Sequence, residues 1–196
     1  MGKMTLTEQL LSIYSGRGAG AYFGESVTTL EHSLQAAHFA VAANAPDALV
    51  IAALLHDIGH LIEPAAEDIA DWQTDRRHEV SGSRWLATCF GPAVCEPVRL
   101  HVPAKRYLCA TDSTFMARLS SASIRTLELQ GGPMSGAEID TFRAERFHQD
   151  AVRLRRWDDE GKMAGLRTSG FLHYRELIER LSAGGGSGSH RAAPVP

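Results

Sequence analysis

The sequence predicts an all-α bundle with a dinuclear metal site in its core, and three observations carry that expectation. Apolar residues recur mostly with helical period along the 196 residues, and no period-2 run is long enough to build a sheet. The dipeptide His56-Asp57 stands in Ala-Ala-Leu-Leu-His-Asp-Ile-Gly-His (52 to 60), and histidines at 32, 78 and 101 recur around it at near-even intervals. Such a series reads as a metal cage assembled from several helices, in which one Asp among several His can bridge two ions. Imidazole and carboxylate without thiolate suit iron, manganese or zinc rather than copper(I) or an iron–sulfur cluster.

In chain order, residues 27 to 43 read as a helix, followed by Asn44-Ala-Pro-Asp, where Pro46 and Asp47 suit the opening of the next. That helix spans 47 to 58 and stops at Gly59. Further helices are expected near 76–89, 92–101, 113–128, 136–149 and 171–182. On this reading residues 1–182 form a single helical domain. Residues 183–196, rich in Gly and Ser, have almost nothing to bury and read as a disordered tail, so His190 is set aside as a ligand.

A chain that is 44% hydrophobic and 22% charged can bury an ordinary core. Its net charge of -3 argues against nucleic acid, since a polyanion needs a concentrated excess of Lys and Arg. The short basic run Arg153-Leu-Arg155-Arg156 could serve a small anion at most, and its outer two arginines read as a solvated helix face. Cys89, Cys95 and Cys109 match no zinc knuckle or redox pair and read as reduced thiols in or near the core. No secretory signal opens the chain and no run reaches the ~20 apolar residues of a membrane helix, so the expected location is the cytoplasm, with no membrane and no obligatory protein partner.

The candidate ligands differ in strength. His32 and His38 lie six apart on one helix and do not share a face, so only one points at a site; His32, beside Ser33, Gln35 and Ala36, is preferred, and His38 is left to packing or surface. Adjacent His56 and Asp57 diverge by about 100° on a helix, yet both can reach a metal pair lying alongside. An unpaired Asp beside Leu-Leu would be costly to bury, and coordination removes that cost. His60, past Gly59, could donate a hydrogen bond into the site without being a ligand. His78 and His101 gain weight from belonging to the series, whereas His148 and His173 have no motif around them. Asp158 and Asp159, in Trp-Asp-Asp-Glu, are indistinguishable on spacing and read equally well as an acidic loop.

The series His32, His56-Asp57, His78, His101 resembles the HD-domain superfamily, which contains metal-dependent phosphohydrolases and a small set of diiron oxygenases. Flanking segments narrow the resemblance to the mixed-valence diiron oxygenases that cleave the carbon–phosphorus bond of 1-hydroxylated phosphonates. They are Tyr22-Phe-Gly-Glu25, Leu30-Glu-His-Ser-Leu-Gln35, Ala53 to His60, His101 to Leu108, Leu119 to Ser123, Leu129-Gln-Gly-Gly-Pro-Met134 and Arg156-Trp-Asp-Asp-Glu-Gly-Lys162. The last three are not expected of a generic HD hydrolase.

Carried over residue by residue, the resemblance implies one iron held by His32, His56, Asp57 and Asp158, and a second held by Asp57, His78 and His101. It implies an Fe(II)/Fe(III) pair with dioxygen as co-substrate, and it is Trp157-Asp158 that matches the family's Trp-Asp. Lys105, Arg155, His60 and Ser123 fall at the positions that bind the phosphonate, where an Arg fork and a Lys point charge suit a dianion. Tyr22 and Glu25 match a mobile gate: the Tyr covers one iron before substrate arrives, and the Glu receives the substrate's cationic nitrogen. Glycines around this pair fit a hinge.

The activity implied is oxidative cleavage to inorganic phosphate and a carboxylic acid, without external reductant. The small-molecule substrate expected first is 2-amino-1-hydroxyethylphosphonate, giving glycine. Its N-trimethyl homologue, giving glycine betaine, comes next, since Tyr22, Phe23 or Trp72 could offer a quaternary ammonium an aromatic face. The alternative class is a metal-dependent HD phosphohydrolase acting on a phosphate ester or nucleotide. A ligand-binding module without catalysis would have lost a cage residue, and every position is filled.

Overall fold

A computed structural model describes residues 4–20, 22, 25–62 and 77–185. The expectations placed on Phe23 and Trp72, and on residues 186–196 of the expected tail, lie outside them, whereas 183–185 continue a helix instead of opening the tail. Among the described residues the chain is helical and forms no strand. No helix there is long and apolar enough to cross a membrane.

α1 (Leu6–Gly16) was absent from the sequence reading, yet its start is written in Thr5-Leu-Thr-Glu8. The Thr5 hydroxyl accepts from Glu8 N and the Glu8 carboxylate accepts from Thr5 N, a reciprocal capping box. The same device, Thr28 with Glu31, opens α2 (Thr29–Ala42). α3 (Asp47–Leu55) follows Pro46, and every residue from Leu49 to Leu55 is buried. A helix apolar all round must be enclosed on every side. α3 accordingly packs against α2, α6 (Pro92–Thr111), α10 (His148–Glu160) and α11 (Arg175–Gly185).

Three boundaries differ from expectation. The second helix ends at Leu55 instead of Gly59: the chain turns at His56-Asp57 and resumes as α4 (Ile58–Ile62). α6 does not stop at His101 but runs to Thr111 through Pro97 and Pro103. A proline inside a helix costs about 3 kcal/mol. The buried residues beyond it, Ala104, Lys105, Leu108 and Cys109, and the packing of α6 on α10, α5 (His78–Leu86) and α3 offset that cost. Finally, the stretches expected as single helices near 113–128 and 136–149 are each broken. The first gives α7 (Ser113–Met116) with α8 (Ser121–Leu129); the second gives α9 (Gly136–Ala144) and only the first two residues of α10, whose remainder lies beyond the expected ranges.

The largest apolar cluster joins Leu10 and Tyr14 of α1, Ala36, Ala37 and Ala40 of α2, Leu49 to Leu55 of α3, Leu154 of α10 and Ile178 of α11. The Tyr14 hydroxyl donates to the Leu54 carbonyl at 3.2 Å, fixing α1 across the end of α3. All three cysteines are unpaired, with Cys95 and Cys109 buried.

Candidate metal centre

The turn that ends α3 aims His56 and Asp57 inward, where His32 of α2, His78 of α5, His101 of α6 and Asp158 of α10 meet them. Except for His78, which is half-buried, all are buried to within 2% exposure. The Nε2 atoms of His32 and His56 lie 3.1 Å apart, and those of His78 and His101 lie 3.1 Å apart. Asp57 stands between the two pairs. Its Oδ2 is 3.6 and 3.4 Å from His32 and His56, and its Oδ1 is 3.3 and 3.7 Å from His78 and His101. Asp158 adds Oδ1 to the first pair only, 3.4 Å from His32 Nε2 and 3.9 Å from His56 Nε2.

Backbone carbonyls set the tautomers. His32 Nδ1–H donates to Gly161 O (2.9 Å), His56 Nδ1–H to Ala53 O (2.8 Å) and His101 Nδ1–H to Val98 O (2.7 Å). A carbonyl only accepts, so in each neutral ring Nε2 carries a lone pair and no hydrogen. The first pair therefore sets two lone pairs against each other amid carboxylate oxygens, and Asp57 Oδ2 is buried without a hydrogen-bond partner. A shared proton or a metal ion satisfies such an arrangement, and imidazoles oriented by carbonyls are a usual support for metal ligands. Two groups fit an ion: His32, His56 and Asp57, and Asp57, His78 and His101. The 3.1 Å gap within each pair is the separation of neighbouring ligands at ~2.1 Å around a six-coordinate ion.

Charge tells the same story. Burial alone pushes His56 down, but Asp57 and Asp158 pull it up to about 9, which puts a proton where an ion would otherwise sit. Burial would raise the Asp57 carboxyl, yet His56 and His78 hold it well below the usual carboxylate range. His60, on α4, stacks on the His78 ring at 3.8 Å, and burial with the neighbouring His78 pushes it down to about 3, so it is neutral.

Tyr22 lies over the first pair, its ring stacked on His32 at 4.0 Å. Burial and the charges of Asp57 and Asp158 raise its phenol well above the ordinary value. Glu25 faces Lys162 across 3.7 Å, and its Oε1 is buried without a hydrogen-bond partner. Arg155 is buried but already committed: Nη1 reaches Asp158 Oδ2 at 2.8 Å, while Nε and Nη2 hold Asp159 at 2.9 and 2.5 Å. The outer arginines, Arg153 and Arg156, are 40% exposed, as the helix-face reading requires. Lys105 is 2% exposed, and the Thr126 hydroxyl at 2.7 Å accepts from it. Among the described residues no carboxylate pairs with it. His38 and His148 are half-buried away from the centre and His173 is exposed.

The sequence agrees with the geometry. Residues 29–150 match the model of the HD domain. The chain belongs to the HD-domain family. The chain is 47% identical over 164 residues to hydroxymethylphosphonate dioxygenase of Gimesia maris, covering 81% of this chain and 80% of that one. It is 37% identical over 181 residues to 1-hydroxy-2-(trimethylamino)ethylphosphonate dioxygenase (glycine-betaine-forming) of Leisingera caerulea, covering 92% of each.

Several contacts of this HD domain were not legible in the sequence. Gln35 clamps the loop after α10, donating to Met163 O and accepting from Met163 N, both at 2.9 Å. That clamp holds Gly161, whose carbonyl orients His32. A Cβ on Gly161 would stand 3.2 Å from His32 Nδ1, so the residue must be small. Lys162 and Thr126 were also missed. Lys162 is the last residue of the segment Arg156 to Lys162, which was its one available signal.

Proposed function

We propose that this protein is an oxygenase that cleaves the carbon–phosphorus bond of a 1-hydroxyphosphonate, giving inorganic phosphate and a carboxylic acid. The observation that carries this reading is Lys105: a buried ammonium with a single neutral acceptor, Thr126, in electrostatic reach of Asp158 and Asp159. An ammonium so placed has no anion in contact with it, and a phosphonate supplies one. The two named relatives act on phosphonates bearing a hydroxyl on the carbon next to phosphorus.

The reaction balances as R–CH(OH)–PO3H2 + O2 → R–COOH + H3PO4, so the substrate gives all four electrons and no external reductant enters. His32, His56, Asp57 and Asp158 would hold one iron, and Asp57, His78 and His101 the other. Bound as an Fe(II)/Fe(III) pair, these ions supply Lewis acidity and one-electron chemistry toward dioxygen. The residues supply position. Lys105 and the outward hydrogens of Arg155 take the phosphonate oxygens, with Ser123 and neutral His60 as further donors. Tyr22 keeps water from the centre until substrate displaces it.

At the far end of the substrate, Lys162 balances the charge of Glu25, so the pocket accepts a substrate without a cation; hydroxymethylphosphonate, yielding formate, is the smallest. Glu25 Oε1 still lacks a donor, which a primary amine supplies and a trimethylammonium group does not. The 2-amino-1-hydroxyethyl substrate, yielding glycine, therefore precedes the trimethyl one. The protein works in the cytoplasm on this reading.

The test is anaerobic loading with iron, partial oxidation, and low-temperature electron paramagnetic resonance with and without these three phosphonates, followed by phosphate release on adding dioxygen. A coupled Fe(II)/Fe(III) signal altered by substrate, then oxygen-dependent phosphate, is expected. Hydrolysis of phosphate esters under manganese without dioxygen would establish the phosphohydrolase instead.

A further inference from the structure

Lys162 is held more firmly than a surface lysine needs to be. The residues on both sides of it are pinned, Gly161 by His32 and Met163 by the two bonds of Gln35. Its side chain is 13% exposed and spans three elements: Nζ donates to Ser123 Oγ on α8 at 3.0 Å, and lies 3.7 Å from Glu25 and 3.8 Å from Asp159.

The contact with Ser123 has a directional consequence. A serine hydroxyl offers two lone pairs and one hydrogen. Ser123 Oγ accepts from Lys162 Nζ and, at 3.3 Å, from the Ser120 hydroxyl, so both lone pairs are taken. Its own hydrogen must point elsewhere, and no acceptor for it occurs among the described residues. One turn along the same helix, Thr126 accepts from Lys105 and donates to the Ser123 carbonyl at 3.1 Å. Ser123 and Thr126 thus each receive a lysine, but only Ser123 is left with a hydrogen to give.

We propose that Lys162 is a positioning residue of the anion cup: it fixes Ser123 as a hydrogen-bond donor toward the phosphoryl oxygens while counterbalancing Glu25 on the segment that carries Tyr22. The identity of the anion rests on the reading above; the coupling between Lys162 and Ser123 does not. A hydroxyl left to rotate would lose much of its value as a donor, so the effect of Lys162 passes through Ser123.

The experiment is a double-mutant cycle on the metal-loaded protein, with inorganic phosphate as the probe and its dissociation constant measured by calorimetry. Lys162→Met and Ser123→Ala are each expected to weaken phosphate about tenfold. The double variant is expected to weaken it by about the same tenfold, since residues acting as one unit are not additive. A Lys162→Gln variant in the same cycle covers a methionine variant that fails to load metal. Unchanged phosphate affinity in both Lys162 variants, or a hundredfold loss in the double variant, overturns the proposal. With 1-hydroxyphosphonates, Lys162→Met should raise KM more than it lowers kcat. If the unmodified protein releases no phosphate from any of them, the proposed function fails while the phosphate titration still decides the role of Lys162.

Discussion

The His78 carbonyl oxygen lies 2.0 Å from the point where a side-chain methyl on Gly59 would stand. A side-chain methyl on Gly82, one turn further along α5, would likewise stand 3.0 Å from Gly59 N. These two glycines let α4 and α5 touch backbone to backbone, and that contact brings His78 up to Asp57. Gly59→Ala would drive a methyl into an atom that cannot rotate away. We expect a loss of about 3 kcal/mol or more in unfolding free energy, with reduced metal at the His78/His101 half. Thermal unfolding and metal analysis check it, and a fully loaded variant of unchanged stability would count against it.

Asp57 touches both histidine pairs and Asp158 only one. Asp158→Ala should therefore empty one metal position and leave a folded helical protein, whereas Asp57→Asn should weaken both. Metal per chain after dialysis separates the two outcomes. Intact metal content in the Asp158 variant would remove it from the ligand set.

Lys105 gives a pH signature. Burial first, then the charge of Arg155, pushes its ammonium down to about 7, against an ordinary value near 10.5. The folded value lies below the unfolded one, so folding releases a proton between them and stability rises with pH across that window. Below 7 the buried charge costs its full amount. Lys105→Met should thus be more stable than the parent by about 1–3 kcal/mol at pH 6, with the gain shrinking toward pH 10, while phosphate and phosphonate affinity fall. Unfolding free energies across that range measure it, and a gain that grew with pH would have the wrong sign.

Gln35→Leu removes both bonds to Met163 and leaves two backbone groups without partners. The expected cost is about 1–3 kcal/mol in stability. Because the same loop presents Gly161 O to His32, metal affinity should also drop, by roughly ten- to a hundredfold. Competition with a chelator reads this directly; unchanged affinity would show that the loop orients nothing.

How much of this was legible beforehand depended on range. Period and composition gave the all-helical class; helical period for α2 and Pro46 with Asp47 for α3 matched their starts to within two residues, and the Thr28/Glu31 capping box marks the α2 start more sharply than period does. The same capping signature at Thr5 and Glu8 was available and went unused. α6 outruns its expected end at 101, because packing along its whole length offsets the local cost of Pro103. In the centre, the even spacing of histidines singled out the residues that the fold gathers. Spacing did not separate Asp158 from Asp159, since both follow Arg155 on α10 and both pair with it. Only their depth differs: Asp158 reaches His32 and Asp159 turns to Lys162. The carbonyls behind His32, His56 and His101 belong to the backbone and leave no trace in residue identity.

Asp57 and the five residues gathered around it are spread from position 32 to position 158, on α2, the α3–α4 turn, α5, α6 and α10. During synthesis the nascent chain passes its first candidate donor long before its last, and no shorter stretch assembles the set. The full set is therefore complete only once α10 has docked, whereas Asp57, His78 and His101 are all present by residue 101.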